Sequence, residues 1–204
     1  MANVDARFGL RVKMGASGGA LYRVRKYNIL SSYGTALYLG DPVIVTGTSN
    51  TAVLFAGNEV HEAGTLANIE KATAGDGNKV AGSIVGFEVY PGVGYTTIHN
   101  AASTARIALV CDDPLAIFEI QADSANVIAA GDIGANANLV YTHAGVDATG
   151  LSGAELNTAS MTTTATFQLK ILGLTRKLGN ALGTNAVLDV MINNHFYGNV
   201  VVGI

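Results

Sequence analysis

Several groups of residues in this chain are of types that do chemistry. Gly15-Ala16-Ser17-Gly18-Gly19 matches G-x-S-x-G, the pattern that sets a nucleophilic serine on a sharp strand-to-helix turn. A basic, glycine-rich stretch precedes it and Leu21-Tyr22-Arg23-Val24-Arg25-Lys26-Tyr27 follows, so that context is missing and Ser17 reads as part of a bend. Asp112 and Asp113 are of the right type for an acid/base pair or a metal site. Adjacent side chains on an extended chain point to opposite faces, so an Asp-Asp-Pro turn closing a hairpin is expected instead. His61, His99, His143 and His195 lack the short spacings of a zinc site. Cys111 is the single cysteine, which excludes an intrachain disulfide. It lies in the apolar run IALVC, as a buried thiol does. Asp76-Gly77-Asn78 starts like a calcium loop, but the ligand alternation stops there and a hairpin tip is expected. Gly75-x-Gly77 and Gly92-x-Gly94 lack the third glycine of a dinucleotide site, and there is no P-loop. No enzyme, cofactor or metal is expected.

Charge is the next signal. Arg7, Arg11, Lys13, Arg23, Arg25 and Lys26 are six of the 12 Lys and Arg residues and share the first 26 positions with one acid, Asp5. From Tyr27 to Phe167, 13 Asp and Glu face Lys71, Lys79 and Arg106. With no sustained apolar period, residues 1–26 read as an extended basic arm that lies on something else, and 27–204 as the body. Tyr22 and Tyr27 interleave with Arg23, Arg25 and Lys26, a pattern that suits stacking on nucleic acid. The pI of about 5.7 and the acidic body argue against that polyanion and for an acidic protein partner.

The elements that must position these residues are strands. Apolar residues make up 49% and charged residues 13%, below the roughly 25% usual for soluble domains, so much of the surface is expected to meet protein. No apolar run reaches 18 residues, so no helical span is expected, and no secretory leader is evident at the N-terminus. Short β-branched runs are bounded by Gly, Asn and Asp. Thr35–Leu39 and Val43–Thr46 flank Gly40-Asp41-Pro42, and Val80–Tyr90 is closed by Pro91-Gly92. Arg106–Cys111 and Leu115–Gln121 flank the Asp112 turn, and Asn138–Thr142 follows Gly131-Asp132. Thr162–Leu174 is expected to pair with Val187–Asn193. The helical candidate, Asn58–Lys71, is interrupted by Gly64. Ala144–Ser160 reads as a long surface loop. The fold class is therefore all-β, a single barrel or sandwich body, jelly-roll-like, with the basic N-terminal arm.

Met1-Ala2-Asn3-Val4-Asp5-Ala6 with Phe8-Gly9-Leu10-Arg11, Tyr33-Gly34-Thr35-Ala36-Leu37 and Gly40-Asp41-Pro42-Val43 begin an ordered series of motifs. It continues through Ile84-Val85-Gly86-Phe87, Ser103-Thr104-Ala105-Arg106, Asp112-Asp113-Pro114 and Phe118-Glu119-Ile120-Gln121. Leu172-Gly173-Leu174, Asn180, then Gly183, Asn185 and Ala186 broken by Thr184, and Ile192-Asn193-Asn194-His195 end it. In this order the chain resembles the cement, or head-decoration, proteins of tailed bacteriophages. Where that family tends to carry proline, after Ala6 and near Val12, this chain has Arg7 and Val12, which makes the arm more cationic.

The resemblance implies a non-catalytic all-β protein on the outer surface of the virion, assembled in the bacterial cytoplasm. Its partners would be the major capsid protein and itself, as a homotrimer by preference or a dimer, with no nucleic acid or membrane. Extended, 26 residues reach up to roughly 85 Å, enough to cross subunit boundaries. The expected contact residues are Arg7, Phe8, Leu10, Arg11, Lys13, Tyr22, Arg23, Arg25, Lys26 and Tyr27. Phe8, Leu10, Tyr22 and Tyr27 would anchor and the cations would steer. A body without residues 2–26 is expected to fold and to fail to decorate capsids. The alternative is a carbohydrate- or host-surface-binding sandwich using tyrosines and the 144–160 loop. The lack of tryptophan weighs against it.

Overall fold

β-branched runs punctuated by glycine and Asx turns build strands throughout, and the protein is all-β. The structure, a computed structural model, describes residues 3–15, 22–56, 59–89 and 97–198. In chain order the strands are β1 (Arg11–Met14), β2 (Val24–Ile29), β3 (Pro42–Ser49), β4 (Leu54–Ala56), β5 (Glu59–His61), β6 (Ala67–Lys71), β7 (Gly82–Phe87), β8 (Arg106–Cys111), β9 (Ile117–Gln121), β10 (Asn136–Val140), β11 (Glu155–Thr162), β12 (Leu169–Leu174) and β13 (Val187–Ile192). Among the described residues the helical structure is a single 3-10 turn at Ala130–Asp132.

The strands form a closed barrel, β2-β6-β3-β7-β8, a six-stranded sheet, β1-β9-β13-β12-β10-β11, and the small hairpin β4-β5. Alternation along the barrel strands explains why the two larger layers pack together. Val43, Ile84 and Val110 point into the barrel with Tyr27, Ile29 and Ile69. Their neighbours Ile44, Val85 and Cys111 face the other way and join Phe118, Ile120, Leu139, Leu188 and Val190 of the sheet. β2 meets β6 in parallel at Asn28 and Asn68, where the buried Asn28 amide donates to Asn68 Oδ1 at 2.7 Å. A hydrogen-bonded polar pair closes the barrel there, with the Asn68 amide also donating to Thr48 Oγ1 and Ser49 O.

Five expectations change. The boundary expected after Lys26 falls inside β2, which pairs with β8 along its whole length, Val24 opposite Cys111 and Ile29 opposite Arg106. Residues 11–14, expected as arm, are the edge strand β1 beside β9. Arg106–Cys111 and Leu115–Gln121 do not pair as a hairpin, because β8 lies in the barrel and β9 in the sheet. The Asp112-Asp113-Pro114 turn carries the chain from one layer to the other. The helical candidate at 58–71 is β5, a turn and β6, with Asn58 outside the described residues. Gly64 there has φ +85°, and the buried Asn50 side chain donates to Glu62 O and accepts from Leu66 N–H. These bonds favour a turn over helix. The last third of the loop expected at 144–160 belongs to β11. Its polar residues hid the alternation, but Leu156 and Thr158 are buried.

Elsewhere the strands lie near the expected places: β7 within Val80–Tyr90, β10 near Asn138–Thr142, and β12 antiparallel to β13. Thr35–Leu39 makes isolated bridges, Leu37 with Asn100 and Leu39 with Leu151, rather than a strand. The G-x-S-x-G serine, Tyr90, the Pro91-Gly92 turn and Gly94 lie outside the described residues.

Candidate docking surface

The ten expected contact residues divide by what each side chain touches. Leu10 is fully buried in the core of the sheet, Tyr27 lies in the barrel core, and Phe8 is also buried. They are therefore anchors within this chain and are not exposed to a partner, which corrects the expectation for all three. Leu10 N–H donates to Gly40 O at 2.8 Å, and Ser83 Oγ donates to Leu10 O. Gly9 (φ +75°) makes that approach possible, because a Cβ there would lie 2.5 Å from both Gly40 O and Ser152 Cβ. Tyr22 is half-buried. With Phe8, Arg11, Leu39, Ile84 and Leu151 it lines a 300 Å³ cleft.

All six N-terminal cations pair with acids of the same chain. Arg7 lies 3.6 Å from Asp5. Arg11 sits directly opposite Glu119 and donates through Nε at 2.8 Å, with its guanidinium 4.4 Å from the centre of the Phe8 ring. Lys13 Nζ reaches past β9 to both Asp189 oxygens at 2.8 Å. Lys26 bridges Glu59 of the hairpin at 2.6 Å and Glu88 at 2.9 Å, and the Glu59 contact holds its ammonium pKa above the ordinary value. Exposed pairs of this kind contribute about 0–1 kcal/mol each. Burial of Leu10 and Phe8, worth about 1.5–3 kcal/mol each, therefore does more to hold the segment down.

Arg23, Arg25 and Tyr27 are brought together. The register of Val24 with Cys111 sets Arg23 against Asp112, and alternation puts Arg25 and Tyr27 on the same side. The Asp112 carboxylate is fully buried. It accepts from Arg23 Nε at 2.7 Å and from Tyr27 OH at 2.6 Å, with Arg25 Nε 3.4 Å away. Arg23 also donates to Asp112 O at 2.7 Å. Burial, with the bond to Asp112, raises the Tyr27 phenol well above its ordinary range. The bond to Asp112 likewise raises Arg23. Tyr197 joins through its hydroxyl, 3.3 Å from that of Tyr27, and lies under Arg25. Beside it, His195 Nδ1 accepts from Tyr197 N–H at 2.9 Å, and burial depresses the imidazole to about 4. Asp112 is thus an internal tie that joins β2 to the turn after β8.

A further set of exposed side chains lies in places the sequence reading passed over. The β12–β13 loop carries Arg176, Lys177 and Leu178, all exposed, with Leu178 wholly in solvent, and Leu182 45% exposed. Internal bonds hold this loop. Asn180 donates to Thr175 O and Val187 O and accepts from Val187 N–H, and Asn3 bonds to Ala181 and Thr184. Gln121 ties Val4 O to Asn185 O and accepts from Ala6 N–H. Between the N-terminal segment and the loop lies a cleft of 220 Å³ lined by Val4, Phe8, Gln121, Lys177, Leu178 and Asn185, among others. A second apolar display is the hairpin, where Phe55 (57% exposed) stands opposite Val60 (56%). The available signal was Arg176-Lys177-Leu178-Gly179, a charged apolar turn, but it was overshadowed by the larger N-terminal charge.

Among the described residues no three His, Cys, Asp or Glu side chains are placed to share a metal ion. Burial pushes the Cys111 thiol up to about 11, away from nucleophilic use. In the 144–160 region Asp147 accepts from Tyr38 OH at 2.7 Å. The Tyr38 ring stacks on His99 at 5.0 Å and has Gly145 packed against it, so it is not an open platform for a sugar. Compared with protein-family models, curated proteins and solved structures, the chain matches none of them.

Proposed function

We propose that this protein is a structural cement protein, which binds the outer surface of a tailed-phage head and stabilises contacts between major capsid subunits. The observation that carries the reading is the pairing of a cross-braced all-β body with apolar side chains held out on projecting elements, Leu178 on one loop and Phe55 with Val60 on the hairpin. Apolar anchors on rigid elements are what a docking protein needs, since little entropy is lost when they are buried. The ordered sequence resemblance to head-decoration proteins supplies the partner: the major capsid protein, with further copies of this chain as a trimer or a dimer. The N-terminal segment contributes by shaping the body, because its cations and three of its apolar residues are committed to their own chain.

The test is sedimentation of the purified protein with empty heads assembled from the major capsid protein of the phage that carries it. The expected result is co-sedimentation at a fixed ratio and heads that withstand higher temperature. Protein that stays at the top of the gradient at every ratio refutes the reading. Mass photometry of the protein alone reads its own assembly.

A further inference from the structure

Charge left without a partner inside a protein that pairs most of its cations points outward. Among the described residues the N-terminal six and Lys71 have carboxylate partners, and Arg106 donates to the carbonyls of Glu88, Thr97 and His99. Among the described residues no carboxylate pairs with Lys79, Arg176 or Lys177, of which the last two are adjacent. Arg176 and Lys177 are exposed, next to the fully exposed Leu178 and at the rim of the 220 Å³ cleft. The nearby acids are already engaged, Asp5 by Arg7 and Asp189 by Lys13 and Thr175.

The loop is also stiff. Asn180, Asn3 and Gln121 supply side-chain bonds across it, and Gly179 takes φ +81° at the corner after Leu178. A leucine kept in water by a braced loop has no reason in this chain's own packing. We infer that the β12–β13 loop, Thr175–Ala186, together with residues 3–8, forms a docking site for an extended acidic segment of a partner protein. Carboxylates of that segment would meet Arg176 and Lys177, and an apolar side chain would enter the cleft between Val4 and Leu178. This rests on the reading of the protein as one that docks on another protein, and it places the recognition on a loop distinct from the basic N-terminal run.

Charge complementarity favours an acidic polypeptide over the other candidates. Two cations are too few to hold a polyanion or an anionic bilayer against a chain of net charge −3. A second copy is less suited, since most of its carboxylates are taken up by its own cations and backbone donors. Preformed sites of this kind lose little entropy on binding, so the anchor residue carries much of the affinity.

The test uses the full chain, labelled with nitrogen-15, titrated with the capped peptide Ac-Glu-Leu-Glu-Leu-Glu-amide at low salt. Its Lys-Leu and Glu-Ser counterparts and vesicles containing anionic lipid serve as comparison probes. Amide shifts confined to residues 3–8 and 175–187, seen with Glu-Leu and weak with both counterparts, support the inference. Leu178→Ser and the double variant Arg176→Glu/Lys177→Glu should each weaken that binding at least about fivefold. All three positions are exposed, so folding is kept, and an unchanged spectrum elsewhere checks it. No shifts in the loop, equal shifts with Lys-Leu, preferential binding to vesicles, or loop shifts that track self-association would each overturn it. Wild-type protein that binds the peptide here but never co-sediments with heads would refute the capsid reading alone.

Discussion

The carboxylate of Asp112 gives the most demanding test of how the N-terminal region is held. It is fully buried and has three donors, Arg23 Nε at 2.7 Å, Tyr27 OH at 2.6 Å and Arg25 Nε at 3.4 Å. Tyr27→Phe removes one hydrogen bond to a charged acceptor with little change of shape, which costs about 2 kcal/mol. Arg23→Met removes the closest cation and the bond to Asp112 O. Breaking a buried pair typically costs about 3–5 kcal/mol, but the Arg23 side chain is 42% exposed and Arg25 remains, so the lower end, about 3 kcal/mol, applies. In the double variant only Arg25, at the longer distance, still faces the carboxylate. The loss in the double variant should therefore exceed the sum of the two single losses by about 0.5–3 kcal/mol. The chain has no tryptophan, so unfolding is followed by circular dichroism in urea at pH 7, with the midpoint shift read at constant slope. Single variants within about 0.5 kcal/mol of wild type, or a strictly additive double, would refute the view of Asp112 as the shared tie of β2 to the layer crossing.

Removing residues 2–26 takes away β1 and half of β2, so the remaining chain should lose the cooperative unfolding transition of the full protein instead of keeping a folded body. Retention of a normal transition by that truncation would show that barrel closure does not need β2. Two buried titrating groups should also tilt stability with pH in opposite directions. Burial raises Glu155 to about 7, with Asp5 and Asp123 adding to the shift, Arg7 opposing it and His143 Nε2 3.8 Å away. Its folded value lies above its unfolded one, so its contribution is full below about pH 4.5 and is lost as pH rises through 7. His195, depressed to about 4, contributes stability above about pH 6.5 that is lost as pH falls through 4. Relative to wild type, Glu155→Gln should make stability rise more steeply with pH between about 4.5 and 6.5, and His195→Phe should make it fall. Each change in slope should be at most about 1.4 kcal/mol per pH unit. Urea midpoints across that range measure both, and slopes of the same sign would refute the assignment.

The all-β class and most strands were legible because alternation and turn chemistry are local signals. Gly40-Asp41-Pro42 marked the start of β3, and the alternation of residues 187–193 marked β13. Layer assignment was not legible at Asp112-Asp113-Pro114, since a hairpin turn and a layer crossing use the same residues and differ only in distant pairing. β11 was hidden because Asn157, Thr158 and Ser160 look like loop residues, while Leu156 and Thr158 alternate into the interior. Among the ten expected contact residues, exposure could not be read from residue type. Leu10 and Phe8 lie in a segment with no apolar period, yet they are buried because Gly9 lets the backbone close against Gly40.

The charge asymmetry along the chain has a mechanical cause. Six cations in the first 26 residues and 13 acids in the following stretch suggested a basic arm aimed at a foreign acidic surface. In three dimensions the arm runs over its own acidic body, so Arg11 meets Glu119, Lys13 meets Asp189, and Arg23 and Arg25 meet Asp112. Segregation in sequence has become pairing in space. A segment that pairs its charges internally attracts a partner only weakly, because binding would first have to replace contacts already made. On the docking proposal, recognition falls to charges that the fold leaves over, and Arg176 and Lys177 beside Leu178 are such a set. Reversing those two charges should therefore impair docking more than reversing Arg11, whose loss would fall on a surface ion pair worth about 0–1 kcal/mol.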